Sequence, residues 1–133
     1  MQNDEKIRLA AYCRVSSDSS DQMNSFAAQI KYYTDYSKVH TEYELVDIYA
    51  DEGISGTSLK KRDEFKRLIK DCENGKIDCV ITKSISRFAR NTSDLLTVLR
   101  MLKTLGVRVY FEEQALDSDK MNAELLVTLP GLA

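Results

Sequence analysis

Hydrophobic and polar positions alternate in blocks along this chain, and the blocks predict strands separated by helices. Short, mostly apolar runs at 7–13, 44–50, 78–82 and 107–111 are typical of buried strands. Between these runs, apolar residues recur every three or four positions, which predicts three amphipathic helices. Strands that alternate with helices favour an α/β fold, in which a mostly parallel sheet lies between two layers of helices. We therefore expect one three-layer α/β/α domain over residues 1–133.

The predicted helices carry recognisable signals at their ends. Polar residues at 17–21 supply capping groups for the first helix, whose apolar positions are Met23, Phe26, Ala27, Ile30 and Tyr33. The second helix is expected over 62–73, with its apolar residues facing inward. Asn91, with Asp94 three residues later, resembles a capping box that opens the third helix, and Gly106 ends it.

Composition agrees with a single globular domain and excludes several classes of protein. The chain has 133 residues, of which 43% are hydrophobic and 30% are charged. No apolar run approaches the roughly 18 to 20 residues that span a bilayer, and the first residues lack a secretory signal. We therefore expect a cytoplasmic protein with no membrane anchor. Three cysteines without a CxxC pair and a single histidine, His40, predict neither disulfides nor a metal site.

Charge is distributed unevenly, although the net charge is only -2. The segment 60–108 holds 13 of the 19 basic residues and 6 of the 21 acidic ones, which gives it a charge of +7. The remaining residues carry a charge of -9. A basic helix face is often only solvated, but here the basic residues include a tight cluster at 83–90, which favours a polyanionic partner.

The first candidate site lies at the end of the first predicted strand, in LAAYCRVSSDSSDQ (9–22). Open parallel sheets place their sites beyond the carboxyl ends of the strands. Because side chains of a strand alternate between faces, Tyr12, Arg14 and Ser16 share one side. This alternation points to Ser16 as the reactive group, with Arg14 beside it. The residues alone leave a second interpretation open, in which Tyr12 belongs to the core, Arg14 forms a surface ion pair and Ser16 is an ordinary loop residue.

The second candidate site is KSISRFAR (83–90), a predicted loop after the third strand. Arg87 and Arg90 are three residues apart, so on a helical turn both guanidinium groups would face the same anion. Strands one and three can be neighbours in such a sheet, which would bring these arginines opposite Ser16. His40 lies far from both stretches in the sequence, so a histidine-driven serine hydrolase is disfavoured. A serine opposite several arginines suits phosphoryl transfer, because planar cations stabilise the charge on the equatorial phosphate oxygens.

The two motifs together resemble those of the serine recombinases, the resolvase and invertase group. Residues 12–16 (YCRVS) match the family's Y-x-R-V-S motif, and residues 86–90 (SRFAR) match its [DS]-R-[LF]-[GA]-R motif. The likeness extends to GISGT (53–57) and to ELLVTL (124–129), and so covers nearly the whole chain. The GISGT loop and Ser86, where small resolvases have aspartate, are more similar to the large serine recombinases and transposon-type integrases.

The resemblance implies a fold, an activity and partners. The fold would be the resolvase-like α/β/α catalytic domain, and the activity would be site-specific DNA recombination or integration. In that family a serine attacks a DNA phosphodiester, which gives a 5′-phosphoserine link and a free 3′-hydroxyl without a metal or a nucleotide cofactor. Double-stranded DNA is then the substrate, and homodimers pair into a synaptic homotetramer. One pair of subunits rotates relative to the other, and the reverse attack rejoins the exchanged ends.

Carried over residue by residue, the resemblance assigns a role to each matching position. Ser16 is the nucleophile. The arginines expected to clamp the phosphate are Arg14, Arg62, Arg87 and Arg90. Gln29 and Tyr12 position their neighbours, and Ser86 assists the leaving oxygen. Because Ser86 has no carboxylate, proton transfer by an aspartate at that position is excluded.

The resemblance also implies that the chain is the catalytic part of a longer protein. The C-terminal part of the domain would be truncated, and the DNA-binding domains would lie beyond residue 133. Pro130 and Gly131 interrupt a region that is a long helix in the family, where a proline costs about 3 kcal/mol in a helix interior. We therefore expect a frayed or altered terminus there.

Three other functions agree less well with the residues. A cysteine-based phosphatase needs an arginine six positions after its cysteine, and none of the three cysteines has one. The stretch after the first strand has no glycine, and DEGISGT (51–57) matches no common phosphate-binding pattern, which argues against a nucleotide-binding domain. The remaining alternative is a noncatalytic response-regulator-like or oligomerisation module, which would have no need for Ser16, Arg87 and Arg90 to converge.

Overall fold

The structure, a computed structural model, describes residues 6–15, 25–52, 62–89 and 91–120. Within these residues the centre of the fold is a five-stranded sheet with the strand order β2-β1-β3-β4-β5. The strands are β1 (Ile7–Val15), β2 (Tyr43–Glu52), β3 (Cys79–Thr82), β4 (Arg108–Phe111) and β5 (Leu116–Asp117). The first four are parallel and β5 is antiparallel to β4, which confirms the predicted, mostly parallel sheet.

Helices cover both faces of the sheet, so the predicted three layers are confirmed. The helices are α1 (Phe26–Val39), α2 (Asp63–Glu73), α3 (Ile85–Phe88) and α4 (Thr92–Thr104), followed by a 3-10 helix, Ser118–Lys120. One core cluster joins α2, α3 and α4 to the sheet through Leu68, Phe88, Leu95, Leu102 and Phe111. A second cluster on the opposite face joins α1 to the sheet through Leu9, Ala11, Cys13, Tyr33 and Ile81.

The start of α1 differs from its prediction. The helix begins at Phe26, and the Ser25 side chain caps it by accepting a hydrogen bond of 3.1 Å from the Ala28 amide. The predicted capping cluster at 17–21 lies outside the described residues. Of the apolar positions that predicted this helix, Tyr33 is buried, whereas Phe26, Ala27 and Ile30 are exposed and Met23 lies outside the described residues. The apolar spacing was therefore a correct sign of the helix, but most of that stripe does not reach the core.

The ends of α4 agree with the sequence signals. The Asn91 side chain accepts a hydrogen bond of 2.8 Å from the Asp94 amide, which confirms Asn91 as the cap at the start of the helix. Gly106, just past the end, has a φ of +80°, a left-handed conformation that favours glycine. The chain can therefore turn at Gly106 directly into β4.

All three cysteines, Cys13, Cys72 and Cys79, are free thiols and buried. Burial is the main cause that raises the pKa of each thiol to about 12. The thiols are therefore neutral at physiological pH. In the described part of the chain, no helix is both long and apolar enough to cross a membrane.

Candidate active site

The candidate site lies at the carboxyl end of β1. This strand ends at Val15, so Ser16 follows it directly, although Ser16 itself lies outside the described residues. The predicted alternation along β1 is confirmed, because Tyr12 packs in the cluster beneath α2 whereas Cys13 packs in the cluster beneath α1. Arg14 is half-buried at the same end of the strand. The predicted adjacency of β1 and β3 is also confirmed.

Tyr12 is a core residue whose hydroxyl belongs to the site. Its side chain is buried, with edge-to-face contacts to Phe65 (5.2 Å between ring centroids) and Phe88 (6.4 Å). Its hydroxyl donates a hydrogen bond of 2.8 Å to Asp51 Oδ2. Burial is the main cause that raises the pKa of Tyr12 to about 12. Tyr12 is therefore a neutral donor fixed in place, which agrees with a positioning role.

Asp51, at the end of β2, is a site residue that the sequence analysis missed. It is 8% exposed, and besides the Tyr12 hydroxyl it accepts hydrogen bonds from the backbone amides of Glu64 (2.9 Å) and Phe65 (3.1 Å). These amides belong to the first turn of α2, and Arg62, the N-cap residue just before the helix, provides no side-chain cap. Asp51 therefore caps α2 from a neighbouring strand, where the helix dipole favours a carboxylate. An acidic residue at the end of a mostly apolar strand was the available signal.

Arg62 is held between two neighbouring elements. Its guanidinium Cζ lies 3.8 Å from the centroid of the Phe65 ring, within the range of a cation–π contact. One terminal nitrogen donates a hydrogen bond of 2.9 Å to the Phe88 carbonyl of α3, and Nε lies 3.4 Å from the Tyr12 hydroxyl. Arg62 thus links the start of α2 to the end of α3.

The stretch predicted as the second site forms a short helix instead of a loop. Arg87 lies on α3 and is half-buried, and Ser86 is exposed with its hydroxyl 3.0 Å from that of Ser84. The helix ends at Phe88, and Ala89 is extended with φ -149° and ψ 155°. The predicted helical turn shared by Arg87 and Arg90 is therefore wrong, because the backbone leaves the helix between them. Arg90 lies outside the described residues.

Two of the candidate arginines, Arg62 and Arg87, act on a third, Arg14. Burial lowers the pKa of the Arg14 guanidinium, Tyr12 and Asp51 oppose this shift, and the positive charges of Arg87 and Arg62 add to it. The three guanidinium groups come from β1, α3 and the start of α2. Like charges gathered at the end of a parallel sheet repel one another unless an anion lies between them. The arrangement is suited to hold a phosphate.

Gln29 lies on α1 at the edge of the same end of the sheet. It is half-buried and lines a cavity of about 470 Å³ together with Tyr32, Tyr33, Lys83 and Glu112. The cavity is next to the segment that leads from β3 into α3. Among the residues that the structure describes, no group of three or more His, Cys, Asp or Glu side chains is arranged to hold a metal ion.

Comparison with known proteins identifies the domain. Residues 9–132 match the family described as the resolvase N-terminal domain. The chain belongs to the resolvase family. This resolvase domain is also 31% identical, over 129 residues, to a resolvase of Clostridium perfringens, an alignment that covers 94% of the chain and 61% of the relative. The domain thus spans about three fifths of that relative's length.

Solved structures of a recombinase and an integrase have a fold similar to that of the resolvase domain. It is similar to a resolvase family site-specific recombinase from Streptococcus pneumoniae, with 32% identity, a TM-score of 0.71, and coverage of 92% of this chain and 83% of that one. It is also similar to the N-terminal catalytic domain of TP901-1 integrase, with 26% identity, a TM-score of 0.72, and coverage of 91% and 89%. These relatives confirm the predicted resolvase-like fold.

Proposed function

We propose that this resolvase domain catalyses site-specific DNA recombination, with Ser16 as the nucleophile. The observation that carries the proposal is that Arg62 and Arg87 act electrostatically on Arg14, which lies at the end of β1 two positions before Ser16 in the sequence. The proposed substrate is double-stranded DNA, and the proposed assembly is a homodimer that pairs into a synaptic homotetramer. The protein would act in the cytoplasm.

The proposed chemistry is a pair of transesterifications. The Ser16 hydroxyl oxygen attacks the phosphorus of a DNA phosphodiester, and the bond from phosphorus to the 3′ oxygen breaks. The serine loses its proton and the departing 3′ oxygen gains one, so the products are a 5′-phosphoserine ester and a free 3′-hydroxyl. Rejoining is the reverse attack by a 3′-hydroxyl of the exchanged partner. Because the number of phosphoester bonds is unchanged, the reaction needs no nucleotide cofactor.

The arginines would act mainly in the transition state. Charge spreads over the equatorial oxygens of the phosphorus during transfer, and guanidinium groups already oriented by the fold stabilise that charge without reorganising. Arg90 would join Arg14 and Arg87 in this clamp. Arg62 is already held by Phe88 and Tyr12, so it would present a fixed face to the phosphate. Ser86 would assist the leaving oxygen, and Gln29 and Tyr12 would position their neighbours.

A noncatalytic module built on the same sheet is a weaker explanation. Arg14 is partly buried beside two other cations, which disfavours its charged form. A scaffold or oligomerisation module gains nothing from such repulsion. A domain that binds a phosphodiester gains affinity and rate from the same arrangement.

The test is to trap the covalent intermediate with the complete natural protein and a suicide DNA substrate that cannot be rejoined. Mass spectrometry of the digested adduct is expected to locate the phosphate on Ser16. Ser16→Ala should form no adduct, whereas the control Ser17→Ala, which changes the neighbouring hydroxyl, should still form one. A Ser16→Ala protein that still becomes linked to DNA would overturn the proposal.

A further inference from the structure

Glu112, just after β4, accepts hydrogen bonds from two adjacent tyrosines of α1. The Tyr33 hydroxyl donates to Oε1 over 2.8 Å, and the Tyr32 hydroxyl donates to Oε2 over 2.5 Å. Tyr33 is 1% exposed, whereas Tyr32 is 51% exposed at the rim of the cavity that Gln29 lines. One carboxylate therefore connects α1 to the end of the sheet at two points.

The same segment supports the helix that carries Arg87. The Glu112 amide donates to the Thr82 carbonyl (3.0 Å), and the Glu113 amide donates to the Lys83 carbonyl (2.8 Å). The segment after β4 is therefore hydrogen-bonded to the segment that leaves β3. The Gln114 side chain then accepts a hydrogen bond of 3.3 Å from the Ile85 amide, at the first residue of α3. Glu112 thus lies on a segment bonded to the base of α3.

Few of the described side chains of α1 are buried against the sheet. Of the α1 side chains that the structure describes, Tyr33 alone is fully buried. Phe26 and Ile30, which are also on this helix, are 51% and 37% exposed. Half-buried Tyr36 also packs against this face of the sheet, so the polar contacts with Glu112 act together with the packing of Tyr33 and Tyr36 in fixing α1.

Both tyrosines remain donors over the physiological pH range. The hydrogen bond to Glu112 is the main cause that raises the pKa of Tyr32 to about 12. Burial, followed by the charge of Glu112, raises the pKa of Tyr33. The phenols are therefore protonated at neutral pH, and the two contacts persist there.

We propose that Glu112 is a positioning residue, which through Tyr32 and Tyr33 sets the distance between Gln29 on α1 and Arg87 on α3. The proposal rests on the proposed function, in which Arg87 clamps the phosphate and Gln29 positions its neighbours at the same site. Glu112 itself does not contact the reacting atoms. Displacement of one group by about 1 Å in such a site can lower the rate of reaction by about 100-fold.

The test measures single-turnover cleavage of the suicide substrate by the complete natural protein. Glu112→Ala, and the double variant Tyr32→Phe/Tyr33→Phe, should cleave about 10- to 100-fold more slowly, with DNA affinity changed by less than about threefold. Glu112→Gln should stay within about threefold of the natural rate, because its oxygen can accept from Tyr33 while its amide donates to the Tyr32 oxygen. If Glu112→Gln keeps the natural cleavage rate, the hydrogen bonds of this side chain matter and its negative charge does not.

The matched control is Tyr49→Phe. It removes a hydrogen bond of the same kind, from a buried tyrosine to Asp71, but one that joins β2 to α2. This variant should lose similar thermal stability and keep its cleavage rate. Hydrogen exchange of backbone amides provides a reading that is independent of DNA. Exchange should accelerate in both α1 and α3 when the two tyrosines are changed, and only in α2 in the control.

The outcomes separate this proposal from the proposed function. The role of Glu112 is overturned if Glu112→Ala cleaves at the natural rate, or if Tyr49→Phe loses as much cleavage rate as Glu112→Ala does. Either result leaves Ser16 as the nucleophile. Equal losses in Glu112→Gln and Glu112→Ala would also overturn it, in favour of a role for the charge. If the unaltered protein forms no adduct, both proposals fail, even if the exchange pattern is as expected.

Discussion

At the scale of single residues, arginine brings to this site a planar group with several donors as well as a positive charge. Arg62 already uses both properties of its guanidinium group, since the group stacks on Phe65 and donates a hydrogen bond to the Phe88 carbonyl at the same time. A lysine has one compact ammonium group and cannot make both contacts. The same reasoning applies to Arg87, whose proposed partner is a phosphate.

The prediction at this scale is that Arg87→Lys slows cleavage strongly while the protein still binds DNA. A loss of about 100- to 1,000-fold in the single-turnover rate is expected, because one oriented donor to the transition state is removed. DNA affinity, measured in parallel, should fall only slightly since the positive charge remains. The control is Arg100→Lys on the exposed side of α4. A rate for Arg87→Lys within a few fold of that control would contradict a bidentate role.

At the scale of elements, contacts between distant segments decide how the site is assembled. Asp51 at the end of β2 caps α2, and Glu112 after β4 holds α1. In both cases a carboxylate outside the helix supplies a hydrogen-bond acceptor that the helix itself does not provide. The elements that carry the proposed catalytic groups are thus positioned by side chains from neighbouring strands.

The second prediction concerns Asp51→Ala, which should lower the free energy of unfolding by about 2 to 4 kcal/mol. The change leaves two α2 amides and the Tyr12 hydroxyl without their acceptor, and each unsatisfied buried group costs about 1 to 3 kcal/mol. Urea unfolding measures the loss. Asp47→Ala provides the comparison, because Asp47 pairs with Arg67 on the surface and such pairs contribute about 0 to 1 kcal/mol. Equal losses in the two variants would contradict the capping role.

These contacts also explain which parts of the fold could be predicted from the sequence. The strands β1 to β4 and the helices α1, α2 and α4 leave apolar patterns long enough to recognise. The two-residue β5 and the four-residue α3 are too short to leave one.

Prediction of the site was limited in a similar way. Tyr12, Arg14 and Arg87 could be found because strand alternation and the resemblance to a family marked them. Asp51 and Glu112 were missed, because an acidic residue at the end of a strand is only a weak signal. Such a residue is usually solvated, and the partners of these two lie on other elements. Their burial and hydrogen bonds exist only once the sheet is assembled.

At the scale of the whole molecule, two apolar clusters on opposite faces of the sheet enclose groups that can lose a proton. Cys13 and Cys79 lie in the cluster beneath α1, and Cys72 lies in the other. The folded state keeps these thiols protonated well above the ordinary pKa of 9.0. The unfolded chain does not. The free energy of unfolding of the domain should therefore fall as the pH becomes alkaline.

The third prediction is that the stability linked to the buried thiols is complete below about pH 9 and is lost between about pH 9 and 12. In that range the unfolded chain has released protons that the folded state retains, so each thiol lowers the free energy of unfolding by up to about 1.4 kcal/mol per pH unit. Urea unfolding at pH 7.5 and at pH 10.5 measures the difference. Replacing Cys79 by alanine should reduce the slope with pH. A free energy of unfolding that is constant from about pH 8 to 11 would contradict the linkage.

The buried cysteines also make this protein a convenient background for site-specific labelling. Maleimide dyes react with thiolates at the surface, and none of Cys13, Cys72 and Cys79 offers one at neutral pH. A single Val39→Cys change, at a position 75% exposed at the end of α1, should therefore take up one dye per chain without removal of the native cysteines. Intact-mass spectrometry would count the dyes. In the proposed assembly, subunits labelled in this way would report their relative movement on DNA by fluorescence energy transfer.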